Sequence, residues 1–271
     1  MTTSPPTSRL YRFTALARVV DPRYPSNRTV IGGAIAAAAT AALPGIDAGP
    51  LTAGIVVFLA WAIGREVDPD DTKTAAIAMV GSYLALLTLG PPWILLAVAV
   101  LIGTRMSAGT VGVPLRPVDW VALIGIAVVA SRDPIGLVAG GVLVAGSLAA
   151  TRSPFEGRVL AALLASVTVV GAILGGSLPG WSQPAAGEWA VLALAVGGGF
   201  LIVPAPRPSS RPDAGGPLLD RSRVTAGRLI AVGAVLGSFA LAGAEGVSAT
   251  AATIAAPVVA AALRVLATRR R

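Results

Sequence analysis

The residues best placed to do chemistry form one run, Arg65-Glu66-Val67-Asp68-Pro69-Asp70-Asp71-Thr72-Lys73, with Glu66, Asp68, Asp70 and Asp71 close together. Clustered carboxylates beside a membrane suit Mg²⁺, a hard cation that is held by a few carboxylates together with substrate phosphates. In that reading Glu66, Asp68, Asp70 and Asp71 are metal ligands, Arg65 and Lys73 contact phosphate, and the substrate is a phosphorylated or prenyl lipid. A plainer reading needs no metal. Arg65 reaches for headgroups, Asp68-Pro69 makes a turn, and Asp70 or Asp71 caps the next helix, where negative charge complements the helix dipole.

The string and its place, after the second apolar segment, resemble the Asp-rich motif of membrane prenyltransferases of the UbiA type. The resemblance implies a metal site built from two such motifs. Here no Asn precedes the acids, and the connection Thr151-Arg152-Ser153-Pro154-Phe155-Glu156 contains no Asp, so half of that ligand set is missing. A likeness confined to one short string does not place the chain in the family.

Other chemistries are excluded by composition. The chain has no Cys and no His, which removes thiolate nucleophiles, disulfides, Cys/His zinc sites and imidazole acid-base catalysis. No cofactor is expected, with Mg²⁺ entering only under the enzyme reading. Asp47, Asp119, Asp133, Glu188 and Glu245 all fall at or beyond the ends of apolar segments, and Arg264 falls near one. This distribution argues against a carboxylate-lined proton or ion path and leaves room for a neutral or amphipathic cargo handled by Ser, Thr and backbone groups. Arg132-Asp133 reads as a salt bridge holding a tight turn. Gly197-Gly198-Gly199 and Pro257 lie inside apolar segments, where interrupted helices can free backbone groups. Gly136/Gly140, Gly171/Gly175 and Gly233/Gly237 have the spacing that lets helices approach closely in lipid.

The elements that must position these residues are apolar. Hydrophobic residues make up 55% of the chain and charged residues only 13%, against about 25% charge in soluble domains; the mean hydropathy is +0.78. Ten apolar segments stand out, at residues 30–43, 51–64, 74–89, 92–104, 118–131, 135–150, 159–178, 188–203, 229–244 and 247–266. The expected fold is all-α, a polytopic transmembrane bundle of about ten helices in five hairpins, or eight if 74–89 and 92–104 re-enter. Basic residues stay on the cytoplasmic side of short loops. Arg132 alone falls in the odd-numbered connections, and the remaining basic residues fall in the even-numbered ones and in the two tails. Both termini are therefore expected in the cytoplasm of a bacterial inner-membrane protein. All five Trp lie near predicted boundaries or in an outer loop, as interfacial rings do. The first apolar segment lies behind a long basic tail, so no cleavable signal is expected.

Four regions follow. Residues 1–28 form a basic cytoplasmic tail in which 9–20 reads as an interfacial amphipathic helix or as disordered chain. Residues 29–203 hold segments one to eight. Residues 204–225, rich in Pro, Ser, Gly and Arg, read as a flexible cytoplasmic linker, and 226–271 hold the last hairpin and a basic end. The net charge of +8 is placed to meet anionic lipid headgroups, and no nucleic acid partner is expected; homo- or hetero-oligomers stay open. Three functions stay open as well: a permease for a small neutral or amphipathic molecule, which shares its helix count and topology with drug/metabolite transporters; a Mg-dependent enzyme on a phosphorylated or prenyl lipid; and a membrane scaffold or accessory subunit.

Overall fold

Several helices in this chain start on proline, and several stop on glycine or on the residue before a proline. α1, α2 and α5 each open on Pro at the first helical position, where the missing N–H is no loss and the fixed φ already suits the helix. α2 ends at Val67 because Asp68 precedes Pro69 and leaves helical geometry, at φ −135° and ψ 79°. α4 ends on Gly109 in the left-handed region, at φ +70°, which only glycine adopts without strain.

A computed structural model describes residues 11, 13–18, 20–43, 48–150, 154–175, 180–204 and 207–269. Among these the chain is all-helical: α1 (Pro25–Ala41), α2 (Pro50–Val67), α3 (Thr72–Leu89), α4 (Ile94–Ala108), α5 (Pro117–Ala130), α6 (Gly136–Ala150), α7 (Pro154–Gly175), α8 (Ala186–Ile202), α9 (Arg221–Ala242), α10 (Ala244–Thr250) and α11 (Ala256–Arg269). A π turn, Ala251–Ala255, joins α10 to α11, so that they continue as one rod, Ala244–Arg269. Each of the ten apolar segments lies on a helix or on this rod. By length and composition α2, α3, α7, α9 and the rod can cross a membrane, whereas α4, α5, α6 and α8 are shorter apolar helices. The outward faces of long and short helices alike are greasy. Leu174 and Phe200 are 81% and 79% exposed, a pattern that lipid satisfies and water does not.

Packing relies on small residues, because lipid removes the hydrophobic drive between helices and leaves close contact to hold them. α4 and α6 touch along Gly103 and Gly146; a Cβ on Gly146 would lie 2.8 Å from Gly103 Cα. A Cβ on Gly140 would meet the Thr168 hydroxyl at 2.2 Å, bringing α6 onto α7. At the end away from the arginine-rich connections, the Ser182 carbonyl accepts from Ala244 N at 2.9 Å and its hydroxyl donates to Ala242 O at 3.0 Å. Trp181 and Trp189 meet Phe239 edge-on there, at 6.3 and 5.3 Å.

Several expectations shift. The described residues within 11–20 form no α-helix; the chain there is irregular, since Thr14 and Ala15 donate to Asp119 and such capture competes with helical bonding. Leu10 and Arg12, within the 9–20 stretch, lie outside the described residues, as do Asp47 and residues 151–153 of the connection between the sixth and seventh apolar segments. Gly197-Gly198-Gly199 leave α8 continuous. Pro257 does interrupt its rod, and the distortion falls one turn earlier as the π turn, because proline cannot bond to the carbonyl of Thr253 four residues back. Arg132 and Asp133 make no salt bridge among the described residues; Asp133 accepts from Ile135 N at 2.9 Å instead.

If the α4–α6 seam depends on backbone approach, Gly146→Ala lowers the thermal stability of the purified protein, by about 1–3 kcal/mol for an overpacked contact. Gly141→Ala, where a Cβ meets nothing within 4 Å, leaves the melting temperature within a degree or two of wild type, on the order expected for a neutral surface change.

Candidate functional site

Every ion pair seen among the described residues gathers at one end of the bundle. The last residues of α2 carry Glu66 there with no solvent exposure. An isolated buried carboxylate costs several kcal/mol, so it must be paired and hydrogen-bonded. Arg105, near the end of α4, donates its Nε to Glu66 at 2.9 Å, the Thr110 hydroxyl donates to the other oxygen, and Nη1 of Arg18 lies 3.7 Å away. Arg105 also donates to the Leu16 carbonyl, and Arg18 grips Asp213 through Nη2 at 2.8 Å and through Nε. The tail, two helix ends and the 207–220 connection thus meet at one carboxylate.

A second group sits on the other side of the α2–α3 turn. Nη1 of Arg264, from α11, reaches both oxygens of Asp68 at 2.9 and 2.8 Å, and its Nε reaches Asp71 at 2.8 Å. Thr74 donates to Asp68 at 2.6 Å, and Asp71 caps α3 by accepting from Lys73 N at 2.8 Å.

Two arginines of α9 serve the ends of other helices. Arg228, itself buried, donates to Val67 O at 2.7 Å and to Ile202 O at 2.5 Å; Arg223 donates to Ser107 O at 2.9 Å and to Met106 O at 3.0 Å. The carbonyls of a helix's last turn lack intrahelical partners and carry partial negative charge. α2, α4 and α8 therefore end on guanidinium groups at a common face.

Residues 207–220, part of the 204–225 stretch whose composition reads as a flexible linker, lie docked across this face as a strap. Asp70 accepts from Ser209 N at 3.0 Å and Ser210 N at 2.8 Å, and the Ser210 hydroxyl donates to Pro69 O at 2.9 Å. Asp213 N and Ala214 N donate to Thr110 O and Val111 O at 2.8 and 3.0 Å. No apolar period was needed for docking because backbone amides and carboxylates make the contacts. Asp119, buried at the start of α5, accepts from Arg116 N at 2.7 Å and Ala15 N at 2.9 Å, anchoring the tail alongside.

Electrostatics follow from these partners. Burial works against the charge of Arg18, but Glu66 and Asp213 outweigh it and push its pKa up, so it remains a cation. Partial burial opposes the charge of Asp70 too, yet donation from Ser210 and Ser209 prevails and holds its carboxyl below the usual aspartate value.

The four acids marked in the sequence are therefore neighbours in the chain that divide among different partners: Glu66 goes to Arg105, Arg18 and Thr110, Asp70 goes to the strap, and Asp68 and Asp71 share Arg264, with Thr74 also on Asp68 and α3 capped by Asp71. Among the described residues no group of three acidic side chains comes together around one point. Arg65 is half-buried and Lys73 exposed, and neither makes an ion pair with described residues. Arg18, Arg105, Asp213, Arg228 and Arg264 were not singled out by motif; the only hint was their common side in the alternation of basic connections. Comparison with protein families, curated proteins and solved structures finds no match to this chain.

Removing one partner of a buried pair strands the other charge, at about 3–5 kcal/mol. Glu66→Gln and Arg105→Met are each expected to lower stability in detergent by that order, while the double variant recovers much of the loss, as read by thermal unfolding.

The strap has a pH signature. Since the folded-state carboxyl of Asp70 is more acidic than the ordinary value of 3.8, its contribution is complete above that pH and fades only as pH falls below it. Protection of the Ser209 and Ser210 amides from hydrogen exchange, relative to the unstructured rate at each pH, is expected to persist down to about pH 3.8 and to fall below it. In Asp70→Asn the protection is weaker throughout.

Proposed function

We propose that this chain is a multi-pass permease of the bacterial inner membrane, with about ten passes and both termini at the cytoplasmic, arginine-rich face, that moves or shelters a small neutral or amphipathic molecule. The observation that carries this reading is the interrupted rod at the centre of the bundle. The π turn and Pro257 break the backbone ladder of the most enclosed membrane-length helix. Thr253, within the turn, and Ser238, on the adjoining α9, are fully buried, and their hydroxyls have no hydrogen-bond partner among the described residues. Interrupted helices and free hydroxyls at membrane depth are what a permease offers a polar, uncharged group, and π turns recur at functional sites.

The charged cluster then acts as the inner gate. Its ion pairs join segments distant in sequence: Arg264 ties the end of the rod to the α2–α3 turn, and the strap is fastened to the same turn through Asp70. A Mg-dependent reaction has weaker support, because each carboxylate that would hold the ion is already engaged by an arginine, a hydroxyl or an amide.

The absence of native Cys makes the test direct. Thr253→Cys and Ser238→Cys are introduced singly and reacted with a small membrane-permeant maleimide in native membranes, with and without Arg264→Ala. Gating predicts slow labelling in the intact protein and labelling about tenfold faster once Arg264 is lost, as a shifted population of open forms requires. Equal, negligible labelling in both backgrounds contradicts a gated interior.

A further inference from the structure

Between α3, α8 and the last rod lies a groove of about 460 Å³ lined only by apolar residues. Ile77, Val80, Gly81 and Leu84 supply the α3 wall, Leu194 belongs to α8, and the rod contributes residues from Ala251 to Leu263. Its walls include two of the five membrane-length helices, so its open side faces acyl chains. Along the rod, twelve steps from Ala251 to Leu263 cover about 18 Å at 1.5 Å each. That is close to one leaflet's share of a hydrocarbon core about 30 Å thick.

The end of the groove on the arginine-rich side has a cation above it. Lys73 precedes Ile77 by four residues and Val80 by seven, which puts it on the same face of α3, one turn nearer the helix N-terminus. Lysine side chains lean that way and reach the headgroup level. The nearby carboxylates do not claim it: Asp70 is engaged by Ser209 and Ser210, and Asp71 by Arg264. Lys73 is exposed and has no ion pair among the described residues.

We infer that the groove is a binding site for an anionic glycerophospholipid of the leaflet on the arginine-rich side, with an acyl chain along α3, α8 and the rod and the phosphate on Lys73. The inference does not depend on transport, since a retained lipid and a carried one would make the same contacts.

Native mass spectrometry of the full chain in mild detergent, titrated with phosphatidylglycerol or phosphatidylcholine, tests it. Wild type holds one phosphatidylglycerol in preference to phosphatidylcholine by about fivefold, the factor that one lysine at a headgroup gives. A Cβ on Gly81 would rest 3.5 Å from that of Ala256, an ordinary contact, so Gly81→Leu fills the groove and loses both lipids. Lys73→Gln keeps binding and loses the preference. Retention by Gly81→Leu equal to wild type, or an unchanged preference in Lys73→Gln, overturns the site.

Should Gly81→Leu misfold, a fluorophore on Leu194→Cys in proteoliposomes decides independently. Brominated phosphatidylglycerol quenches it more strongly than brominated phosphatidylcholine if the site exists. Equal quenching contradicts it.

Discussion

A charge cannot rest unpaired in hydrocarbon, and this constraint organises the molecule. The bilayer centre penalises an ionised side chain by several kcal/mol, and unsatisfied backbone groups are penalised there as well. The chain answers with apolar helices whose ion pairs, among the described residues, all sit at one end. Helices that finish at that end need donors for their last carbonyls, and Arg228 and Arg223 supply them to α2, α8 and α4. The gathering of these arginines at that end is thus a structural need of the helix ends.

Within that end, Glu66 is the junction. It is fully buried, and its partners come from the tail, from α4 and from the connection beyond α4. A buried pair of this kind adds little stability compared with an apolar pair of the same size, but it is intolerant of losing one member. What it supplies here is register: Arg18 can satisfy Glu66 and Asp213 together only when tail and strap lie where they do. Farther into the bundle the chemistry changes. The rod swaps regular helical bonding for a π turn, and two hydroxyls are left without partners among the described residues, so polarity without charge is concentrated where charge is absent.

Much of this was legible in the sequence, for reasons of period and local chemistry. The ten apolar segments coincide with helices because lipid-facing and buried faces are both apolar, leaving long uninterrupted runs. Capping of α3 by Asp70 or Asp71 could be read locally, since aspartate is favoured just before a helix, and Asp71 takes that place. Pro257 announced a break, though its position one turn upstream follows from the carbonyl that proline cannot serve. What could not be read were partners far apart in the chain: Glu66 with Arg105, Arg18 with Asp213, Asp68 with Arg264. Nothing in residues 65–73 separates a carboxylate that holds a metal from one that holds an arginine. The 207–220 strap and the irregular tail eluded a reading based on apolar period, because both are fastened through amides and carboxylates.

Ion pairs are sorted to a single end of the bundle among the described residues, and the side of the membrane on which two connections emerge tests most directly whether that end is one face. Ser209→Cys in the strap and Gln183→Cys in the connection before α8 are each exposed to a membrane-impermeant maleimide, first on intact cells and then on inverted vesicles. The expected result is labelling of position 183 only in cells and of position 209 only in inverted vesicles. Labelling of both positions from the same side would contradict the threading of the chain and, with it, the separation of charge on which the whole arrangement depends.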